Sequence, residues 1–173
     1  MRYWPLFVGA WLLPATALAL GPGEASLSGG LGLTLARPDE TRAGAQAEVR
    51  LLRGVTDSWA ARLGLQATWI PESGATSSTY VAMQALGLTW AADALNLVPF
   101  VDLGIVVADV RGGGRLENER LGAQAGIGAD YCLARHWVLS LLGRIDYLAL
   151  RFAGGHEPSL VLSTFALHLG RMF

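Results

Sequence analysis

The stretch WAARLGLQATWI, residues 59 to 70, alternates along its length. Trp59, Ala61, Leu63, Leu65, Ala67 and Trp69 have one parity; Arg62, Gly64, Gln66 and Thr68 have the other. A period of two puts the two sets on opposite faces of a β-strand. The pattern recurs in Ala43, Ala45, Ala47, Val49 and Leu51 against Gly44, Gln46, Glu48 and Arg50. It appears again in Leu139, Leu141, Ile145 and Tyr147 against Ser140, Arg144 and Asp146. Cut at its turn-rich punctuation, the chain after Leu20 yields eight segments: 26–37, 42–53, 59–70, 79–91, 97–109, 120–133, 137–152 and 160–173. Strands at such regular spacing predict an antiparallel sheet. The fourth segment is ambiguous, because Gln84 shares a parity with Leu86 and Leu88 and leaves a bulge or a slipped register open.

Eight strands with one apolar face fit two architectures. A soluble barrel turns that face inward around a ligand, whereas a transmembrane barrel turns it outward to lipid and fills its lumen with the polar face. The aromatic residues favour the second. Trp59 and Trp69 bracket the third strand and Tyr80 and Trp90 the fourth, while Tyr131, Trp137 and Tyr147 stand near other strand ends. Amphipathic rings in those places would form two interfacial girdles. The expectation is therefore an all-β fold, an eight-stranded antiparallel up-and-down transmembrane β-barrel. With both ends of the mature chain on the periplasmic side, the odd-numbered connections face outward and should be the longer ones. PESGATSS, RGGGRLENE and AGGHEPS obey this, and PDET does not. Closure requires the last strand to pair with the first, which removes both sheet edges.

The inward face predicts a lumen network of Glu48, Arg50, Arg62, Asp102, Asp130, Arg144 and Asp146, whose charges nearly cancel. An enclosed site needs that balance, since an unpaired buried charge is costly. Pairing the second and third strands about GVTDS sets Glu48 opposite Gly64 and diagonal to Arg62. Pairing the sixth and seventh about ARH sets Arg144 opposite Gly126, with room for its guanidinium to reach Asp102 or Asp146. The expected lumen is plugged by these ion pairs and conducts little.

The chain ends in FALHLGRMF, with Phe165, Leu167, Leu169 and Phe173 sharing one face. This resembles the C-terminal sorting signal of bacterial outer-membrane barrels, although Arg171 stands where that signal usually has an apolar residue. VPFVDLGIVVADV and GIGADYCLARHWVLSLLGRIDY are similar to the penultimate strands of OmpA-type and opacity-type eight-stranded barrels. The resemblance implies a bacterial outer-membrane location, with membrane lipid, lipopolysaccharide and the outer-membrane assembly machinery as partners, the last reading Phe165, Leu167, Leu169 and Phe173. It implies a structural or surface-interaction role and a monomer.

The first residues have another composition. MRYWPLFVGAWLLPATALAL carries one charge at Arg2, an apolar run from Leu6 to Leu13 and an Ala17-Leu18-Ala19 exit, the layout of a secretory signal peptide. The expected division is a signal peptide over 1–19 and the barrel domain over 20–173. Without Arg2 the chain keeps 12 basic against 14 acidic residues, a net charge of about −2. That gives no basic patch for nucleic acid. Cys132 is the single cysteine, so no internal disulfide can form.

No catalytic residue, cofactor or metal is expected. Gly122, Gly126 and Gly128 lie on an alternating strand rather than in a phosphate loop. His136 and His168 lack metal-ligand spacing. His156, Glu157 and Ser159 invite comparison with barrel lipases that trim lipid A, but their His-x-x-Ser spacing departs from the His-x-Ser of those enzymes. Two alternatives to the structural role therefore stand: a side-opening barrel that passes small hydrophobic molecules, and a lipid A-modifying hydrolase.

Overall fold

The computed structural model describes residues 20–37, 41–71, 78–92, 97–112, 118–134, 136–151 and 159–173. The expected signal peptide, 1–19, lies outside them. The strands are β1 (Ala25–Arg37), β2 (Arg42–Gly54), β3 (Trp59–Pro71), β4 (Ser78–Ala91), β5 (Leu97–Arg111), β6 (Asn118–Ala134), β7 (Trp137–Arg151) and β8 (Leu160–Met172). Each pairs antiparallel with its sequence neighbours, and β1 pairs β8 from Ser26 opposite Met172 to Arg37 opposite Val161. The sheet closes as an eight-stranded barrel. At one end the backbones of Ala25 and Phe173 exchange two hydrogen bonds of 2.9 Å, so the start of β1 and the last residue share that end of the barrel, hereafter the terminal end.

Alternation decides the faces. On β3, Leu63 and Leu65 point outward with about half of their surface exposed, while Arg62 and Gln66 are buried in the lumen. The same division runs round the whole barrel. Leu31, Leu33, Leu86, Leu103, Ile105, Ile127, Ile145 and Phe165 all project outward. Water-soluble monomers rarely expose contiguous apolar surface beyond a few hundred Å².

Turn chemistry sets the register. Between β2 and β3, the Val55 and Thr56 amides both donate to the Trp59 carbonyl, and the Thr56 hydroxyl accepts from the Trp59 amide at 3.1 Å. The turn is centred one residue later than GVTDS implied, its last flanking pair being Gly54 with Ala60 rather than Arg53 with Trp59. Arg50 therefore faces Gly64 and Glu48 faces Gln66, a two-residue correction to the expected pairing. A shift of two preserves parity, so every side chain keeps its face. The expected pairing of Arg144 with Gly126 is present. Just after β5, Gly112 stands at φ +100°, and a Cβ there would lie 2.2 Å from the Ser78 carbonyl oxygen.

The ambiguity on β4 resolves without a bulge. Val81, Met83 and Ala85 are buried inside, Gln84 points outward with Leu86 and Leu88, and pairing is regular on both sides. A one-residue slip would have turned the three inward apolar groups out together. The register shifts fall instead between β6 and β7, at Leu121/Gly122 and Cys132/Ala134.

The lumen departs from a purely polar filling. Its half away from the terminal end contains an apolar cluster of Ala36, Ile70, Val81, Met83, Ala85, Val106, Ala108, Val110, Leu148, Leu160 and Leu162. Inward positions of β4, β5, β7 and β8 supply most of it, while Val98 and Val138 make a smaller apolar contact near the terminal end, so the charged part lies mainly between the two.

Candidate functional site

The charged part sits near mid-height. Arg144 on β7 donates to Glu48 on β2 across the lumen, Nη1 to Oε2 at 2.6 Å, and through Nε to Asp146 Oδ2 at 3.2 Å. His168 on β8 brings Nε2 to 3.6 Å from the same Glu48 oxygen. Beside this group, Arg50 Nη1 and Arg62 Nε approach Asp102 Oδ2 at 3.6 and 3.8 Å. Asp102 also accepts from the Thr89 hydroxyl, its cross-strand neighbour, and Asp146 accepts from the Gln124 amide, likewise opposite it. The guanidinium of Arg50 lies 5.1 Å from the centre of the Phe100 ring, within cation–π range.

Small residues make room for these long side chains. Gly126 stands between Arg144 and Asp102 in neighbouring strands. The Arg62 guanidinium passes over Gly104, where a Cβ would lie 3.0 Å from Nη2. Gly30 lies between Glu48 and His168, and a Cβ there would fall 2.5 Å from the imidazole Cγ. The imidazole can cross β1 toward Glu48 only because that position is bare.

Six of the seven expected network residues therefore meet in two adjacent groups. Of the two acids within its expected reach, Arg144 takes Asp146 on its own strand, whereas Glu48 pairs with Arg144 and not with Arg62. That one correction follows from closure, which brings β2 and β7 face to face across the lumen. Asp130, the seventh, lies toward the terminal end opposite Ser140, beside a cavity of about 30 Å³ shared with Ser26, Ser28 and Arg50.

Some members were missed. Arg120 is buried at the inward face of β6, and His168 joins the Glu48 group. The inward parity of both was readable, but their neighbours were not. Farther from the terminal end, Gln46 Oε1 accepts from Thr34 at 3.1 Å and from Thr164 at 2.7 Å. These neutral residues carried no charge signal in the sequence.

The aromatic residues fall at the two ends of the outward face. Trp59 and Trp90 are direct cross-strand neighbours at the terminal end, with Tyr131 and Trp137 near the β6–β7 turn. Trp69 and Tyr80 are neighbours at the other end, where Tyr147 also lies. Phe165, Leu167 and Leu169 point outward along β8, and Phe173 is exposed beside Ala25. Arg171 is outward as well, between Leu27 and Trp137.

Of the histidines, His136 holds the β6–β7 turn, its carbonyl accepting from the Met172 amide at 2.9 Å. His156 and Glu157 lie outside the described residues, and Ser159 is half-buried before β8. A serine, a histidine and an acid do approach one another in the lumen, where Ser140 is opposite His168 and His168 is near Glu48. Neither imidazole nitrogen has a hydrogen-bond partner among the described residues, and all three side chains are buried. The hydroxyl-to-imidazole bond that would activate a nucleophile is missing there. Cys132 packs against Val98 and Val138, and its thiol points to the Ala134 carbonyl at 3.0 Å.

Among solved structures, Neisserial surface protein A superposes with a TM-score of 0.72 at 11% identity, over 87% of this chain and 99% of that one. The chain has the fold of a small outer-membrane barrel. Ail, the attachment invasion locus protein of Yersinia pestis, matches with a TM-score of 0.62 at 12% identity, over 88% of this chain and 99% of its own. The outer membrane enzyme PagL matches at 0.52 and 15%, over 84% and 97%. No family model matches the sequence, and no curated protein sequence matches it.

Proposed function

We propose that the chain is an integral protein of the bacterial outer membrane, with its terminal end periplasmic, its lumen closed by ion pairs, and a structural or surface-interaction role rather than a catalytic one. One observation carries this reading: the apolar face points outward between two aromatic belts, and the charged residues of the lumen network are enclosed. From Trp59 to Trp69 there are ten residue steps along β3. At about 3.3 Å each, and with a tilt of about 40°, they span roughly 25 Å of height, the apolar band of a membrane barrel. Water would leave that band uncovered; lipid covers it.

An interior of eight strands is only wide enough for side chains. Arg50, Arg62, Arg144 and His168 are at most 3% exposed, which supports a closed lumen. Neisserial surface protein A and Ail are named for surface location and attachment, and the shared fold lends weight to a surface role here. The apolar half of the lumen is what a path for hydrophobic molecules would need, but its side chains pack it to 3% exposure or less. A lipid A hydrolase would need an accessible serine hydrogen-bonded to a histidine, and the described residues offer only the buried Ser140 and His168.

Cysteine labelling tests the inside-out arrangement. In a Cys132→Ser background refolded into phospholipid vesicles, Leu65→Cys should react with a lipid-phase reagent and Gln66→Cys should not. Preferential lipid-phase labelling at 66 would invert the barrel and refute a membrane location.

A further inference from the structure

Gln84 interrupts the outward apolar face. It lies midway along β4, across from Leu65 on β3 and Val107 on β5, with Ala82 and Leu86 before and after it on the same face. Its side chain is exposed, and its amide has no partner among the described residues. It stands four positions from Tyr80 and six from Trp90, so it lies between the two belts. Hydrocarbon offers an amide neither donor nor acceptor. A second carboxamide offers both: each N–H donates to the other's oxygen, and a two-fold axis relates the two bonds.

The walls on either side of Gln84 are unlike. A cross-strand row of Leu31, Ala47, Ala67, Ala82, Asp109 and Glu119 climbs from mid-β1 to the second residue of β6, which fixes the sense of the strand tilt. Positions level with Gln84 are therefore Ala67 and Ala47 on one side and Ile105 on the other. Ala47, Ala67 and Ala82 floor a depression of about 710 Å³ that Gln84, Val107, Asp109 and Glu119 also line, while Ile105, below Val107 on β5, stands out with 58% of its surface exposed. A two-fold axis through Gln84 and parallel to the barrel axis lays Ile105 of each copy into the alanine floor of the other. Such an interface is isologous and self-complementary, and small residues allow the two sheets to approach closely.

We propose that the chain pairs with a second copy of itself in the membrane through the β4 wall, with the two Gln84 amides hydrogen-bonded at the axis. This inference rests on the membrane location proposed above, and it replaces the monomer expected from the sequence. An acyl chain could fill the depression but would leave the amide unpaired.

The test uses full-length chain in a Cys132→Ser background, refolded into phosphatidylcholine vesicles, with insertion checked first by heat-modifiable migration. Copies carrying Ala67→Cys mixed with copies carrying Ile105→Cys, Gln84 intact, should cross-link on oxidation. Phe165→Cys, on the opposite wall, should not. Gln84→Leu should lower the association constant measured by energy transfer about tenfold, the worth of two amide hydrogen bonds within a membrane. Ala67→Phe should abolish pairing while leaving insertion intact. Inserted protein that shows no 67-to-105 cross-link, as an acyl chain in the depression would produce, overturns the inference alone. Equal cross-linking at 165 overturns it too, because it signals random collision. A parent chain that fails to insert overturns the membrane location and the pairing together.

Discussion

Removing Arg144 should be among the most damaging single changes in the lumen. Its side chain is fully buried and is held between two carboxylates, Glu48 at 2.6 Å and Asp146 at 3.2 Å. Arg144→Met keeps most of the aliphatic stem but leaves both acids without their cation. Breaking a buried ion pair from one side costs about 3 to 5 kcal/mol, because the remaining charge is left uncompensated. Both acids retain something here. Asp146 still accepts from Gln124, and Glu48 still has His168 at 3.6 Å. The loss is therefore expected at the lower end, about 3 kcal/mol. Urea unfolding of vesicle-embedded protein, followed by tryptophan fluorescence, measures it. Adding Glu48→Gln should recover part of the loss, with a coupling between the two sites of about 1 to 3 kcal/mol. Planar-bilayer recording beside it should find little current in the parent and more in Arg144→Met. An unfolding midpoint equal to that of the parent would show that the network adds little to stability, and a steady open channel in the parent would refute the closed lumen.

Two further outcomes follow from local geometry. Gly30→Ala puts a methyl 2.5 Å from the His168 ring and 2.7 Å from the Leu167 carbonyl oxygen, so it should destabilise by roughly 1 to 3 kcal/mol in the same unfolding assay; Gly29→Ala, whose Cβ meets nothing nearer than 4.0 Å, should cost nothing. Phe173→Ser should lower the amount of protein reaching the outer membrane, read by fractionation and heat-modifiable migration, and normal insertion would remove the assembly role from the terminal residues.

Much of this protein is written in a period of two. Alternation in segments such as Trp59–Ile70 determined that the chain forms strands, how many there are, and which side chains share a face, because parity survives any register error of two residues. That is why Glu48, Arg62 and Arg144 were placed inward correctly although Glu48 was set opposite the wrong neighbour. Where a turn was short and well marked, as before Trp137, even the register was legible, and Arg144 does face Gly126. The β2–β3 turn defeated the same reasoning because the Thr56 hydroxyl and the Trp59 carbonyl centre the loop one residue later than the residue types alone indicate.

Closure of the sheet decided which groups meet across the lumen. Glu48 and Arg144 are separated by 96 residues and belong to strands that are not neighbours. Their contact exists because the barrel curves β2 and β7 toward each other across a lumen one side chain wide. The distribution of apolar and ionic groups along the interior has the same origin: parity says which residues point inward, but not at what height each tilted strand delivers them. Gln84 shows the limit from the other side. Its neighbours left its face undecided in the sequence, and the three buried residues Val81, Met83 and Ala85 turned it outward, since burying those apolar groups outweighs leaving one amide outside.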